Sequence, residues 1–262
     1  MLKQLIKKSA YRLAPGWASE LDQRRWLMKN VRELNHRAAG CRTASDYLTA
    51  LNETHGFPAW QNRGEILKLM ELVEALKPRR ACEIGSMEGG TLFLLTRMCD
   101  PESHVISLDW SYTEARRRSF PRFARGRQRL SLVEADSHAP STRRRVEELL
   151  EGEPLDFLFI DGDHSLAGVA LDFEMFAPLV RAGGIIAFHD IVPDVRARRG
   201  EMTLRDSGGV PIFWREVRER YPDCREFIDD PEQDGCGIGI IRWPGRLLPG
   251  TVGQRAIPTG AN

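Results

Sequence analysis

A chain of 262 residues, 42% apolar and 29% charged, is long enough to bury a full hydrophobic core without disulfides or metal staples. With 38 Lys and Arg against 37 Asp and Glu, its net charge of +1 excludes a generally basic nucleic-acid binder and an acidic disordered protein. The near balance hides an asymmetry. Residues 1–37 hold nine bases (Lys3, Lys7, Lys8, Arg12, Arg24, Arg25, Lys29, Arg32, Arg37) and three acids (Glu20, Asp22, Glu33), a net +6 against −5 in the remainder.

The five cysteines (Cys41, Cys82, Cys99, Cys224, Cys236) are scattered and lack CxxC spacing, so neither a zinc ribbon nor a disulfide framework is expected. A reducing cytoplasm is the expected setting. No stretch approaches the ~20 apolar residues that span a bilayer, and the N-terminus lacks the apolar run of a secretory signal.

In chain order, residues 1–55 read as helical, broken at Pro15-Gly16 and near Gly40, and Gly56-Phe57-Pro58 ends this region. A helix is expected over 62–76, where Ile66, Leu69, Met70, Val73 and Leu76 recur at three- and four-residue steps. Pro78 closes it. Short apolar runs then follow at Ala81–Gly85, His104–Asp109, Leu130–Glu134, Leu155–Ile160 and Gly184–His189, as buried parallel strands require. Helical patterns at about 90–99, 140–151 and 167–181 separate them. Strand alternating with helix predicts a doubly wound α/β sheet with right-handed crossovers. A helix at about 210–220 and strands near Arg225–Ile228 and Cys236–Arg242 complete it. The expected organisation is a helical cap or arm over 1–58, one α/β domain over 59–244 and an exposed tail over 245–262.

In an open parallel sheet, ligands bind beyond the carboxyl ends of the strands. The first strand leads into Glu83-Ile84-Gly85-Ser86-Met87-Glu88-Gly89-Gly90-Thr91, where glycines suit a backbone passing close to a ligand at a helix N-terminus. A tight turn without ligand is the plain alternative. The segment lacks the GxGxxG spacing of a dinucleotide fingerprint, and its acids Glu83 and Glu88 would repel a pyrophosphate. A ligand with a cationic or neutral centre fits better. The second strand ends at Asp109, whose carboxylate suits the two hydroxyls of a ribose or, equally well known, caps a helix. The third ends in Glu134-Ala135-Asp136-Ser137-His138, able to meet an adenine edge or to cap the helix that follows.

The fourth strand ends in Phe157-Leu158-Phe159-Ile160-Asp161-Gly162-Asp163-His164-Ser165 and the fifth in Ile185-Ile186-Ala187-Phe188-His189-Asp190. If these strands are neighbours, about 4.8 Å apart, Asp161, His189 and Asp190 share one pocket. Crowded carboxylates repel unless a cation sits between them, and two carboxylates with an imidazole suit Mg²⁺ or a softer divalent ion. A hydrogen-bonded polar cluster without metal is the alternative. Asp163 and His164 lie near the same edge and are the candidates to take a proton from a substrate hydroxyl, His164 having an ordinary pKa of about 6.5.

The set EIGSMEGGT, SLDW, EADSH, FLFIDGDHS and PLVRAGGIIAFHD resembles the class I S-adenosylmethionine-dependent methyltransferases. More closely, it resembles bacterial small-molecule O-methyltransferases, including the cephalosporin-biosynthesis methyltransferase-like and macrolide sugar groups. The likeness covers about residues 60–242. It implies a Rossmann-like seven-stranded sheet with one antiparallel strand near the end. It places Glu83, Gly85, Ser86, Gly89 and Gly90 along the methionine part of S-adenosyl-L-methionine, Asp109 at the ribose, and Ala135 and Asp136 near the adenine. Asp161 and Asp190 match metal-ligand positions of the metal-dependent members. The chain departs from the pattern at Met87, where many class I enzymes have a glycine, and at His189, often a carboxylate. It also lacks the catalytic lysine of the catechol-type enzymes.

The expected activity is therefore methyl transfer to a hydroxyl of a natural product or sugar, by a homo-oligomer. The competing readings are a nicotinamide-dependent oxidoreductase and a non-catalytic cofactor-binding member. Seven arginines between 116 and 129, interleaved with Phe120 and Phe123, read as a solvated face rather than a nucleic-acid surface. The basic arm is expected to cap the substrate pocket, with contact to an anionic membrane as the alternative.

Overall fold

A computed structural model describes residues 20–201 and 206–248 of the chain. The expected break at Pro15-Gly16, the bases Lys3 to Arg12 and residues 249–262 of the expected tail lie outside the described residues. Seven strands form one sheet in the order β3-β2-β1-β4-β5-β7-β6. They are β1 (Arg80–Ile84), β2 (His104–Asp109), β3 (Arg129–Glu134), β4 (Leu155–Ile160), β5 (Val180–His189), β6 (Cys224–Phe227) and β7 (Ile238–Arg242). The first five run parallel, while β7 lies antiparallel to both β5 and β6. This is the doubly wound seven-stranded architecture expected.

Side chains alternate between two cores, as the period of two in a strand demands. Ala81, Val105, Phe157, Phe159, Ile185 and Ala187 face one core. Cys82, Ile84, Ile106, Leu108, Leu158, Ile160, Ile186 and Phe188 face the other. The first core is shared with the N-terminal helices α1 (Glu20–Ala38), α2 (Ala44–Asn52) and α3 (Arg63–Leu76), which bury Leu27, Val31, Leu34, Leu48, Leu51, Leu69 and Val73. A capping box between Thr43 and Asp46 starts α2, and Lys77 in the left-handed conformation ends α3.

The helices between strands are α4 (Gly90–Met98), α5 (Glu114–Ser119), α6 (Pro140–Leu150), α7 (Leu166–Phe176), α8 (Val195–Arg198) and α9 (Val210–Arg220). One difference from the sequence reading stands out. Helix α7 ends at Phe176, because a short 3₁₀ turn over Ala177–Leu179 with Pro178 feeds β5 from Val180. The arginine-rich run 116–129 holds α5 and a 3₁₀ turn whose Phe120 and Phe123 are fully buried against Phe57, Phe93 and Tyr112. Its arginines are tied down locally: Arg116 to Glu88, Arg117 to Glu134, Arg118 to Glu114, Arg127 to Glu102 and Arg129 to Glu151. Arg125 binds carbonyls at the end of α4.

Among the described residues no helix is long and apolar enough to cross a membrane.

Candidate active site

The strand ends converge on two adjoining features, a glycine turn after β1 and a cluster of acids and imidazoles after β4 and β5. The turn is built by packing. Gly85 has φ +87°, and a Cβ there would stand 2.0 Å from the Asp161 carbonyl oxygen. A Cβ on Gly89 would strike the Phe120 ring, and one on Gly90 would lie 2.3 Å from the Pro58 carbonyl oxygen. These glycines are thus required by neighbouring protein, as in the tight turn that the sequence offered as the alternative to a ligand. Asp109 closes the turn: its Oδ2 accepts from the backbone N–H groups of Ser86 (2.9 Å) and Met87 (3.0 Å). Its Oδ1 accepts from Ser111 N–H at 3.1 Å. Beneath, the hydroxyls of Ser86, Ser107 and Tyr112 bond to one another.

Glu83 is the electrostatic centre of the turn. It is 0% exposed, and neither carboxylate oxygen has a hydrogen-bond partner. Burial, then the charges of Asp161 and Asp109, push its pKa well above the ordinary carboxyl value. Glu88, by contrast, is neutralised, accepting from Trp60 Nε1 at 2.8 Å and pairing with Arg116 at 3.3 Å. Of the two acids noted on this turn, only Glu83 stands without a counter-charge.

Strands β4 and β5 are neighbours in parallel register, Ile160 opposite Phe188, so Asp161, His189 and Asp190 do meet. His189 Nδ1 lies 3.1 Å from Asp161 Oδ1 and 3.4 Å from Asp190 Oδ2. His189 is buried, and its Nε2 has no partner. His164 joins them, with Nε2 3.6 Å from Asp161 Oδ1 and Nδ1 3.4 Å from Asp190 Oδ2. Asp161, His164 and Asp190 offer ligand atoms all within 4.8 Å of one another, and so do His189, Asp190 and Cys236. Asp190 holds φ +61°, an uncommon conformation for a side-chain-bearing residue, and its Oδ1 accepts from Cys236 N–H at 3.1 Å.

Charge in this cluster is shared. Burial opposes ionisation of Asp161, but His189 and His164 more than offset it and hold its pKa down at about 2. Burial likewise disfavours the charged His164, yet the Asp161 hydrogen bond and the charges of Asp190 and Asp161 raise it to about 9. His189 is raised well above its ordinary value against the pull of burial, by Asp190 and Asp161. At neutral pH the bare cluster therefore pairs two imidazolium cations with two carboxylates, and His164 is a proton donor there rather than the neutral base its ordinary pKa implies.

Residues 82–191, the span from β1 through the His189-Asp190 pair, match the family model described as a methyltransferase domain. The resemblance to class I S-adenosylmethionine-dependent methyltransferases is thereby borne out at the level of domain and fold. An O-methyltransferase from Bacillus cereus, solved in complex with SAH, shares the fold at 18% identity and a TM-score of 0.53, over 91% of this chain and 97% of that one. The O-methyltransferase TomG from Streptomyces achromogenes, involved in tomaymycin synthesis and solved with SAM, matches at 17% identity and a TM-score of 0.50. That match covers 84% of this chain and 98% of the other. An uncharacterized protein of Sinorhizobium fredii, y4gI, is 24% identical over 222 residues, which take in 76% of this chain. The chain spans only 21% of that relative's length.

Within the matched residues, the structure brings Glu83, Gly85, Ser86, Asp109 and Asp161 together around the turn, and His164, His189 and Asp190 around Asp161. It does not bring in Asp163, whose exposed carboxylate accepts from Ser165 N–H at 2.8 Å and packs over Gly168 at the start of α7. Asp136 is likewise exposed and accepts from His138 N–H at 2.9 Å, a local turn, while Ala135 N–H bonds to the Asp109 carbonyl. The sequence reading missed Gln61, Glu65 and Cys236. Gln61 and Glu65 lie before the matched residues, Gln61 in the strap that enters α3 and Glu65 in the first turn of α3. Glu65 is fully buried and accepts from Gly237 N–H (2.9 Å), Gln233 Nε2 (2.6 Å) and Asp229 N–H (3.3 Å). Its signal was in plain view: an acid in the apolar stripe of Ile66, Leu69 and Val73.

Proposed function

We propose that the chain is an S-adenosylmethionine-dependent O-methyltransferase acting on a hydroxyl of a small molecule, with a divalent metal ion held beside the acceptor. The observation that carries this reading is Glu83, buried without a partner between the charges of Asp161 and Asp109. A buried carboxyl in that position is costly unless a cation approaches it. A sulfonium or an ammonium meets that need. A pyrophosphate would add to the repulsion, which disfavours the nicotinamide-dependent alternative.

When bound, S-adenosylmethionine supplies a methyl carbon already activated by its sulfonium. The chain's task is to align the acceptor oxygen in line with the departing sulfur and to take up the hydroxyl proton. The C–S bond breaks as the O–C bond forms, and the proton passes to a base. His164 is that base in our reading, with Asp163 set aside because its carboxylate is engaged elsewhere. His164 accepts a proton at neutral pH only when Asp161 and Asp190 are engaged by another cation, since those two carboxylates keep it protonated. Two carboxylates with an imidazole are a suitable donor set for such a cation, Mg²⁺ or a first-row divalent ion such as Mn²⁺. Asp161, Asp190 and His189 would hold it, which leaves His164 free to take the proton. When bound, a divalent ion lowers the pKa of a hydroxyl it touches.

The test is formation of S-adenosylhomocysteine from S-adenosylmethionine against a panel of hydroxylated acceptors, each run with and without a chelator. Acceptor-dependent turnover is expected, lost on chelation. Binding without turnover against every acceptor would favour the non-catalytic reading.

A further inference from the structure

The strap before α3 reaches into the site from outside the sheet. Gln61 is 8% exposed, and its Nε2 donates to Asp161 Oδ2 at 2.9 Å, across 100 residues of sequence. Its Oε1 accepts from the hydroxyl of Thr91, also at 2.9 Å. Thr91 is buried in the first turn of α4, directly after Gly89 and Gly90. The strap is fastened at both ends: Pro58 presses on Gly90 and Trp60 bonds Glu88, while Glu65 in the first turn of α3 holds the 229–237 loop.

We infer that Gln61 is a positioning residue for the site, oriented by Thr91 and holding the Asp161 carboxylate in place. The inference rests on the reading of this site as a methyltransferase centre. An ionised carboxylate only accepts, so the amide must turn its NH₂ end to Asp161 and its oxygen to Thr91. With Oδ1 facing His189 and His164, the Gln61 bond fixes Oδ2 and hence the plane of the carboxylate. Because both amide ends are buried, a reversed amide would set two acceptors against each other in a low dielectric. Thr91 thereby links the glycine turn to the acid of the neighbouring strand, through a residue that belongs to neither.

The test measures kcat/KM for S-adenosylmethionine and the melting temperature in Gln61→Ala, Gln61→Glu, Thr91→Val, Thr91→Ser and the Gln61→Ala/Thr91→Val double variant. Loss of a hydrogen bond to a charged group predicts a fall of about 10- to 100-fold for Gln61→Ala. Gln61→Glu, which puts an acid against Asp161, loses at least as much. Thr91→Val falls in the same direction, Thr91→Ser keeps wild-type activity, and the double variant is no worse than Gln61→Ala alone. Multiplying losses in the double variant would overturn the inference, because Thr91 would then act by its own packing. So would a Thr91→Ser as impaired as Thr91→Val, or single variants of Gln61 within twofold of wild type. A wild type that makes no S-adenosylhomocysteine overturns the functional reading instead, and the inference falls with it.

Discussion

Replacing Glu83 by Gln separates what this carboxyl does for the fold from what it does for the ligand. Its pKa in the folded chain is raised by burial and by the charges of Asp161 and Asp109. The folded state therefore holds a proton that the unfolded state releases above about pH 4.5, and stability falls as pH climbs through that window. Each pH unit over which only the unfolded state is ionised removes about 1.4 kcal/mol. For a domain of this size that is a melting-temperature difference of roughly 3 to 6 °C per pH unit. Glutamine keeps the shape and carries no proton to lose. Calorimetric scans of the ligand-free, metal-free proteins from pH 5 to 8 should thus diverge, the variant becoming the more stable as pH rises. Titrations elsewhere are common to both proteins and cancel in the difference. The same variant should bind S-adenosylmethionine about 10- to 100-fold more weakly, having lost a charge beside a cation. Gained stability with lost binding is the signature. Parallel melting curves across the pH range, or unchanged binding, would refute the assignment of Glu83 as the buried counter-charge.

The imidazole cluster carries the opposite sign. His164, raised to about 9 by Asp161 and Asp190, contributes stability that is present below about pH 6.5 and lost as pH rises through 9. His164→Gln should melt below wild type at pH 6.5, and the gap should close by pH 10 in thermal scans of metal-free protein. Gly85→Ala combines a φ of +87° with a Cβ 2.0 Å from the Asp161 carbonyl oxygen, so urea unfolding should show a loss of about 3 kcal/mol or more. Trp110 is 85% exposed beside Asp109 and should report ligand at the turn. S-adenosylmethionine should change the tryptophan fluorescence of wild type, and by less in Trp110→Phe, where Trp60 on Glu88 remains.

The sheet was legible because its central strands β1, β2, β4 and β5 are buried on both faces and read as apolar runs. The meeting of Asp161, His189 and Asp190 was legible for the same reason, since a parallel sheet gathers its strand ends on one edge. Asp163 and His164 looked alike in the sequence, two polar residues after one strand. The structure separates them, because Asp163 is taken by the N-terminus of α7 while His164 is drawn between two carboxylates. Its protonation could not be foreseen, as a pKa depends on which charges the fold brings near. Gln61 was invisible for a different reason. It lies outside any periodic segment, 100 residues before its partner, and its meaning exists only once the strap crosses the glycine turn. Glu65 left a trace, a charge on an apolar helical stripe, that pointed to a buried partner without saying which.

On the function proposed, the turn after β1 takes up a cation beside Glu83. Calorimetric titration of the purified chain with S-adenosylmethionine, beside NAD under the same conditions, is the test. One site for S-adenosylmethionine, with a proton released on binding above the ordinary carboxyl range and no heat from NAD, is the predicted result. Binding of NAD with none of S-adenosylmethionine would contradict it.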